Sequence, residues 1–339
     1  MTASDEFKDP VLRDFFVTKD GLIFSVSDYF HPQKGIRSVL RYIPDENGDR
    51  IRKKGGGRYR KAEFGESFEF LKTHHPDWLS DVAVVPRQDI AEILKPADVV
   101  ADILSGARPF PAVEELIRRL EKDGVSVSAM GISGSVLPGL DNEESDVDFL
   151  VCGPNWFKAK KSLADMKQKD DPSFCYTISE LDHDMWQTVY KKRKSPLSFE
   201  DFFAHEIRKG NRGMFISKNG GKDVFFDLLF VRSSDQIKET EPIRRGIDTE
   251  KKEITAVITK APYAFDNPAI YLIDHDEIDE IYSYTHTYAG QALPGETVQA
   301  RGMVEVIGAR KRLVIGTSRE ARDEWMISIT LLGEPKTKE

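Results

Sequence analysis

The chain is poor in cysteine: 339 residues contain Cys152 and Cys175 and no others. That is too few for a disulfide framework, and the absence of any Cys-x-x-Cys or Cys/His grouping excludes the common structural zinc patterns. Reduced thiols are expected. No apolar run approaches the roughly 20 residues needed to span a bilayer. The opening residues Met1-Thr2-Ala3-Ser4-Asp5-Glu6 are polar and acidic, unlike a signal peptide, so a cytoplasmic protein with no membrane partner is expected. A net charge of -8 argues against a protein that coats nucleic acid by bulk electrostatics. There is no internal repeat or low-complexity tract, and only residues 334–339 read as disordered. What remains is an ordinary globular composition, 40% hydrophobic and 31% charged, at a length that suits two or three domains.

Against this plain background one constellation carries chemistry. Met130-Gly131-Ile132-Ser133-Gly134-Ser135 is followed, after a polar stretch through Asp141 and Ser145, by Asp146-Val147-Asp148-Phe149-Leu150-Val151. Much later Asp227 lies inside Val224-Phe225-Phe226-Asp227-Leu228-Leu229-Phe230. A Gly-Ser turn lets backbone N–H groups approach phosphates closely, and Ser135 adds a hydroxyl donor. Aspartates at i and i+2 of a strand share a face, so Asp146 and Asp148 can serve one site while Val147 and Phe149 pack behind. Magnesium takes hard oxygen ligands of this kind, with manganese as its usual substitute. Asp227 in its apolar run needs a partner, which an arginine or a metal ion would supply. Taken singly, the Gly-Ser pair reads as a turn and the Asp-x-Asp as the start of a half-exposed strand; order, spacing and apolar flanks together point to one site.

Three segments are expected. Residues 1–106 form an extension of mainly extended pieces, with strands at Leu22-Ile23-Phe24-Ser25-Val26-Ser27 and Ser38-Val39-Leu40-Arg41-Tyr42-Ile43 and helices near 66–72 and 88–94. Adjacent His74 and His75, with no other His or Cys nearby, read as a polar loop. Between residues 50 and 61 stand Arg50, Arg52, Lys53, Lys54, Arg58, Arg60 and Lys61 with no acid among them, around Gly55-Gly56-Gly57 and beside Tyr59. In an acidic chain this segment is the candidate grip for a polyanion such as RNA, since Lys and Arg bind phosphates and Tyr can stack on a base; a solvated hairpin tip is the alternative.

Residues 107–250 hold the constellation. Val113, Leu116, Ile117 and Leu120 predict an amphipathic helix started by Pro111, and a second helix is predicted over 155–168. A third carries Phe199, Phe202, Phe203 and Ile207 with Ser198 as its cap. Arg208, Lys209, Asn211 and Arg212 follow it, basic groups within reach of a substrate phosphate or of the helix C-terminus. In residues 251–339, short alternating strands suggest a small β-barrel, with an OB-fold as one form of it, made locally acidic by Asp274, Asp276, Glu277, Asp279 and Glu280.

At Gly134, Ser135, Asp146, Asp148 and Asp227 the chain resembles the DNA polymerase β-like nucleotidyltransferase superfamily, over about residues 108 to 235. Over its whole length, with Arg41-Tyr42-Ile43-Pro44 and Gly57-Arg58-Tyr59-Arg60-Lys61, it also looks like a group of predicted archaeal nucleotidyltransferases. The resemblance implies an α+β protein whose central domain is a mixed sheet with helices. It implies metal-dependent transfer of a nucleoside monophosphate from a triphosphate to an acceptor, with release of pyrophosphate; it brings no known substrate, ATP is one expected donor, and RNA as an acceptor is the expectation from the Arg50 to Lys61 segment. Asp146 and Asp148 would bridge two metal ions, Asp227 would hold the activating one, and Gly134 and Ser135 would hold the phosphates. The competing functions are an inactive nucleotidyltransferase-like RNA-binding or scaffold protein, and a nucleotidylating enzyme acting on a protein or small molecule.

Overall fold

The computed structural model describes residues 9–317 and 323–333. The 334–339 tail and the six opening residues lie outside the described residues. By contacts the chain divides into two compact units, Met1–Ser179 with Arg212–Pro242 and Glu180–Asn211 with Ile243–Glu339. This grouping differs from three consecutive segments: the N-terminal extension shares a unit with the strands of the constellation, and residues 180–211 join the C-terminal strands.

The first unit contains two sheets. In the N-terminal one the strands run in the order Arg50–Ile51, Arg58–Lys61, Ile36–Pro44, Ile23–Val26, Phe15–Thr18, Ile90–Leu94, and Ala83–Val85 also pairs with Ile36–Pro44. Its core face gathers Phe16, Phe24, Ile36, Leu40 and Ile43, covered by Leu71 of the helix Phe64–His74. The helix expected near 88–94 is instead a 3-10 turn, Arg87–Asp89, leading into the strand Ile90–Leu94, which pairs antiparallel with Phe15–Thr18. Five residues before Pro96 are too few to repay helix nucleation, and the residue preceding a proline is biased to extended backbone. His74 ends the helix Phe64–His74 and only His75 lies in the loop beyond it, where it stacks on Trp78 at 3.8 Å with its Nε2 3.0 Å from Asp20.

The second sheet of this unit has the order Tyr176–Ser179, Arg212–Ser217, Val224–Val231, Val147–Cys152, Met130–Ile132. Val224–Val231 and Val147–Cys152 are parallel, and the other neighbours are antiparallel. The helix Pro111–Lys122 buries Val113, Leu116, Ile117 and Leu120, as its periodicity predicts. Asn155–Gln168 forms the second expected helix, and its buried Trp156 donates from Nε1 to the Leu228 carbonyl. Pro96–Leu104 is a helix that the sequence reading did not anticipate. It lies against the Met130–Ile132 strand so closely that a Cβ on Gly131 would stand 2.7 Å from Cβ of Pro96.

In the second unit, Ile247–Tyr263 pairs with both Ala269–Asp274 and Thr297–Ile307. The pairings therefore run in a circuit, Ile247–Tyr263, Ala269–Asp274, Glu280–Ser283, Arg310–Ile315, Thr297–Ile307 and back, with Trp325–Ser328 added beside Thr297–Ile307. Helix Phe199–Lys209 starts at Ser198, whose side chain accepts from the Asp201 N–H, and ends on left-handed Gly210. Buried His205 accepts a hydrogen bond at Nε2 from the Ser328 N–H at 2.9 Å, and its Nδ1 lies 2.6 Å from the Asp201 carbonyl. Burial pushes this imidazole down to about 4, so it is neutral. The acidic stretch is partly answered: Glu277 pairs with Lys252, and the Asp279 carboxylate accepts the Lys311 N–H.

Candidate functional site

The parallel pairing of Val224–Val231 with Val147–Cys152 places Asp227 directly opposite Asp148. Neighbouring strands lie about 4.8 Å apart, so two carboxylates from distant stretches of chain become neighbours on one sheet. Asp146 stands just before the same strand, exposed, whereas Asp148 is half-buried. Among the described residues neither carboxylate makes a hydrogen bond or an ion pair. Burial pushes the Asp148 carboxyl up to about 6; Arg13 opposes the rise, Asp146 and Asp227 add to it, and Arg41 opposes it.

The turn after Met130–Ile132 is shaped around Asp148. Ser133 donates its N–H to the Asp148 carbonyl at 2.9 Å, and its buried hydroxyl donates to the carbonyl of Arg13 at 2.8 Å. Gly134 has φ +64, and a Cβ there would collide with Oδ2 of Asp148 and lie 3.1 Å from its Cγ. Glycine is required on both counts, left-handed backbone and close approach. Among the described residues, the N–H groups of Gly134 and Ser135 and the Ser135 hydroxyl donate to nothing. Free donors on one side and unpaired carboxylates on the other are the groups a phosphate and a hard cation would satisfy.

Asp227 differs. Its Oδ1 accepts from Nε of Arg212 at 2.6 Å, with Arg212 buried on the adjoining strand. The arginine partner is the one found. Asp227 is turned to Arg212, and among the described residues no three His, Cys, Asp or Glu side chains are grouped as a ready-made metal centre. Asp146 and Asp148 as free oxygen donors still fit a magnesium-like ion, which takes hard oxygen ligands of this kind.

The basic segment has another use. Arg50 donates to the Leu140 carbonyl at 3.2 Å and to Ser145 Oγ at 3.1 Å, and Lys53 donates its N–H to the Gly139 carbonyl and its ammonium to Asp141. Arg52 bonds Glu92, Arg58 the Gly48 carbonyl, and Arg60 both Asp45 and Glu66. Tyr59, expected to stack on a base, is buried at 7% exposure. Lys54 and Lys61 stay exposed. The hairpin thus clamps the loop between Ser135 and Asp146, with Arg108 bonding Asp141 and the Val136 carbonyl from the other direction. Arg208 and Lys209, at the end of the third helix, are likewise paired, with Glu296 and with Glu206 and the Thr287 carbonyl.

The residues that sequence reasoning missed come from the N-terminal sheet. Arg13, at φ +76 and adjacent to Asp14, which pairs with Lys95, sets its charge against Asp148. Buried Tyr42 has its hydroxyl pushed up by burial and lies in the fields of Arg41, Arg50, Asp148 and Asp146. Nothing in the local sequence marks Arg13; Arg41-Tyr42 belongs to a stretch read as a strand and noted for its likeness to related chains, not as part of a site.

A Gly-Ser turn packed on an Asp-x-Asp strand, with a third aspartate on the parallel neighbour, defines a nucleotidyltransferase arrangement. The chain belongs to the polymerase β-like nucleotidyltransferase superfamily, and the family model for a nucleotidyltransferase domain matches residues 113–204. That span contains Gly134, Ser135, Asp146 and Asp148 and stops before Asp227. The chain is also 34% identical to the uncharacterized protein MJ1086 of Methanocaldococcus jannaschii, over 93% of this chain and 98% of that one. No solved structure matches. No helix among the described residues is long and apolar enough to cross a membrane.

Proposed function

We propose that the protein is a divalent-metal-dependent nucleotidyltransferase acting from a nucleoside triphosphate, with Asp146, Asp148 and Asp227 as the metal-binding and catalytic carboxylates. One observation carries the reading: two unpaired carboxylates, two free N–H groups and a free hydroxyl are assembled around one turn. Magnesium or manganese held there would neutralise the triphosphate and activate the attacking oxygen. The N–H groups of Gly134 and Ser135 and the Ser135 hydroxyl orient the phosphates. An acceptor oxygen bonds to the α-phosphorus, the bond from that phosphorus to the bridging oxygen breaks, and pyrophosphate leaves. Asp227, exchanging Arg212 for the site, takes the acceptor's proton. Positioning and charge neutralisation supply the rate, with no covalent intermediate.

The circuit of pairings in the second unit, with its parallel Glu280–Ser283 and Arg310–Ile315 pair, supports a small closed barrel of the OB kind as an accessory part. The acceptor is left as a nucleophile of open class, because most of the hairpin cations that pointed to RNA are bonded within the fold, Arg50 and Lys53 among them to the loop. The test is incubation with each labelled triphosphate and magnesium or manganese, alone and with cellular RNA or lysate. Labelled product with pyrophosphate release is expected, and Asp146→Asn with Asp148→Asn should produce none. Metal-independent RNA binding without any pyrophosphate release, across all four triphosphates, would replace the enzyme by a binding or scaffold protein.

A further inference from the structure

Arg41 occupies a special place in the N-terminal sheet. In the pairing of Ile36–Pro44 with Ile23–Val26, Tyr42 faces Ile23 and Leu40 faces Phe24, so Arg41 is the extra residue of a β-bulge. The shift is visible in the packing, because Leu40 and Ile43 both enter the core cluster although a regular strand would put residues three apart on opposite faces. A bulge re-aims the side chains around it.

The arginines of this sheet otherwise have partners. Arg37 pairs with Asp28 and Asp81, Arg50 with the Leu140 carbonyl and Ser145, Arg58 with the Gly48 carbonyl, and Arg60 with Asp45 and Glu66. Among the described residues, the Arg41 guanidinium makes no hydrogen bond or ion pair. It is half-buried, and its charge is felt at Asp148 and at its buried neighbour Tyr42. A partly desolvated guanidinium without a partner lacks what its planar fork of N–H groups is shaped for, an anion with two oxygens such as a carboxylate or phosphate. Asp148 lies within its field but makes no bond to it. The N-terminal sheet borders the turn and its loop, through the Ser133 hydroxyl on the Arg13 carbonyl and the Arg50 bonds to Ser145 and the Leu140 carbonyl, and at that turn the N–H groups of Gly134 and Ser135 also lack acceptors, so the group missing from this geometry is an anion.

We propose that Arg41 binds a phosphate of the nucleoside triphosphate, making the N-terminal sheet a wall of the nucleotide site. The inference rests on the proposed nucleotidyltransferase reading and adds a residue from outside the matched domain. It is tested by calorimetric titration of the full chain with the magnesium complexes of the four triphosphates and with the corresponding monophosphates. For the best-bound base, Arg41→Ala should weaken the triphosphate by about ten- to a hundredfold, the range for losing charge-assisted hydrogen bonds. The monophosphate should change much less, and Arg41→Lys should recover part of the loss. Equal triphosphate affinity in parent and Arg41→Ala overturns the proposal. So does equal weakening of tri- and monophosphate together with a lowered ligand-free melting temperature, which would make Arg41 a structural residue. A parent chain that binds no triphosphate removes the nucleotidyltransferase reading itself, an outcome distinct from parent and variant binding alike.

Discussion

The carboxylate turn and the basic hairpin are both dense in charge, and they differ in how that charge is met. In the hairpin, Arg50, Arg52, Lys53, Arg58 and Arg60 each find a carboxylate, carbonyl or hydroxyl within the fold. At the turn, Asp146 and Asp148 find none, and Gly134 and Ser135 present donors without acceptors, as does Arg41 on the N-terminal sheet. A run of like charge in sequence announces a ligand no more than a lone aspartate does. What marks a site is charge left unanswered after folding, because a fold that keeps such groups apart from partners bears a cost that a ligand can remove.

The largest expected effect comes from removing the unanswered charge. Asp146→Asn with Asp148→Asn should lower nucleotidyl transfer by at least about a hundredfold, the scale of losing one preorganised electrostatic group. It should also abolish the rise in melting temperature given by magnesium and triphosphate together. The ligand-free melting temperature should hold or rise, since like-charge repulsion is relieved. An unchanged metal-dependent shift would remove these residues from the site.

Next is the one carboxylate of the three that is already answered. Arg212→Met should destabilise the ligand-free protein by roughly 1–3 kcal/mol, because Asp227 is left half-buried without its partner. Saturating magnesium should then stabilise the variant more than it stabilises the parent, as the ion no longer competes with an arginine. Chemical denaturation with and without metal measures both quantities, and equal metal stabilisation would show that Asp227 stays out of the metal site.

The answered charges should matter less. Arg50→Ala with Lys53→Ala frees the loop between Ser135 and Asp146 and should cost about 1 kcal/mol of stability, these being partly exposed pairs. RNA retention in filter binding should be the same for this variant and the parent at every salt concentration. A flattened salt dependence in the variant would return the hairpin to the role of polyanion grip.

The smallest net effect is in the pH profile, where Asp148 and His205 act in opposite directions and largely offset one another. Asp148 titrates near 6 in the fold against 3.8 unfolded, so the folded state holds more protons between these values. Stability is therefore lost as pH rises through 6, and Asp148→Asn should remove that slope. His205 titrates near 4 against 6.5, so its contribution is present above 6.5 and is lost as pH falls toward 4; His205→Gln should flatten the acid side. Denaturant midpoints across pH 4 to 7 separate the two.

Much of the fold was legible. The helices Pro111–Lys122 and Asn155–Gln168 and the Ser198 cap follow from periodicity and capping chemistry, which act within a few residues. Ile90–Leu94 was misread because a short apolar run fits either period, and only its pairing with Phe15–Thr18 decides. Pro96–Leu104, His183–Arg193 and Glu280–Ser283 were not anticipated. Of the site, Gly134, Ser135, Asp146 and Asp148 were readable because turn chemistry and i, i+2 spacing are local.

By itself the sequence determined which residues could take part: a glycine that tolerates φ +64, aspartates two apart at the start of a strand, and an aspartate in an apolar run. Only the tertiary structure decided that Asp227 stands opposite Asp148, that Arg212 holds it, that Tyr59 is buried and that Arg41 is left without a partner. The reason is physical. Backbone conformation and side-chain period are set by neighbours along the chain, whereas the pairing of a charge depends on which distant group the packed sheets bring within hydrogen-bond reach.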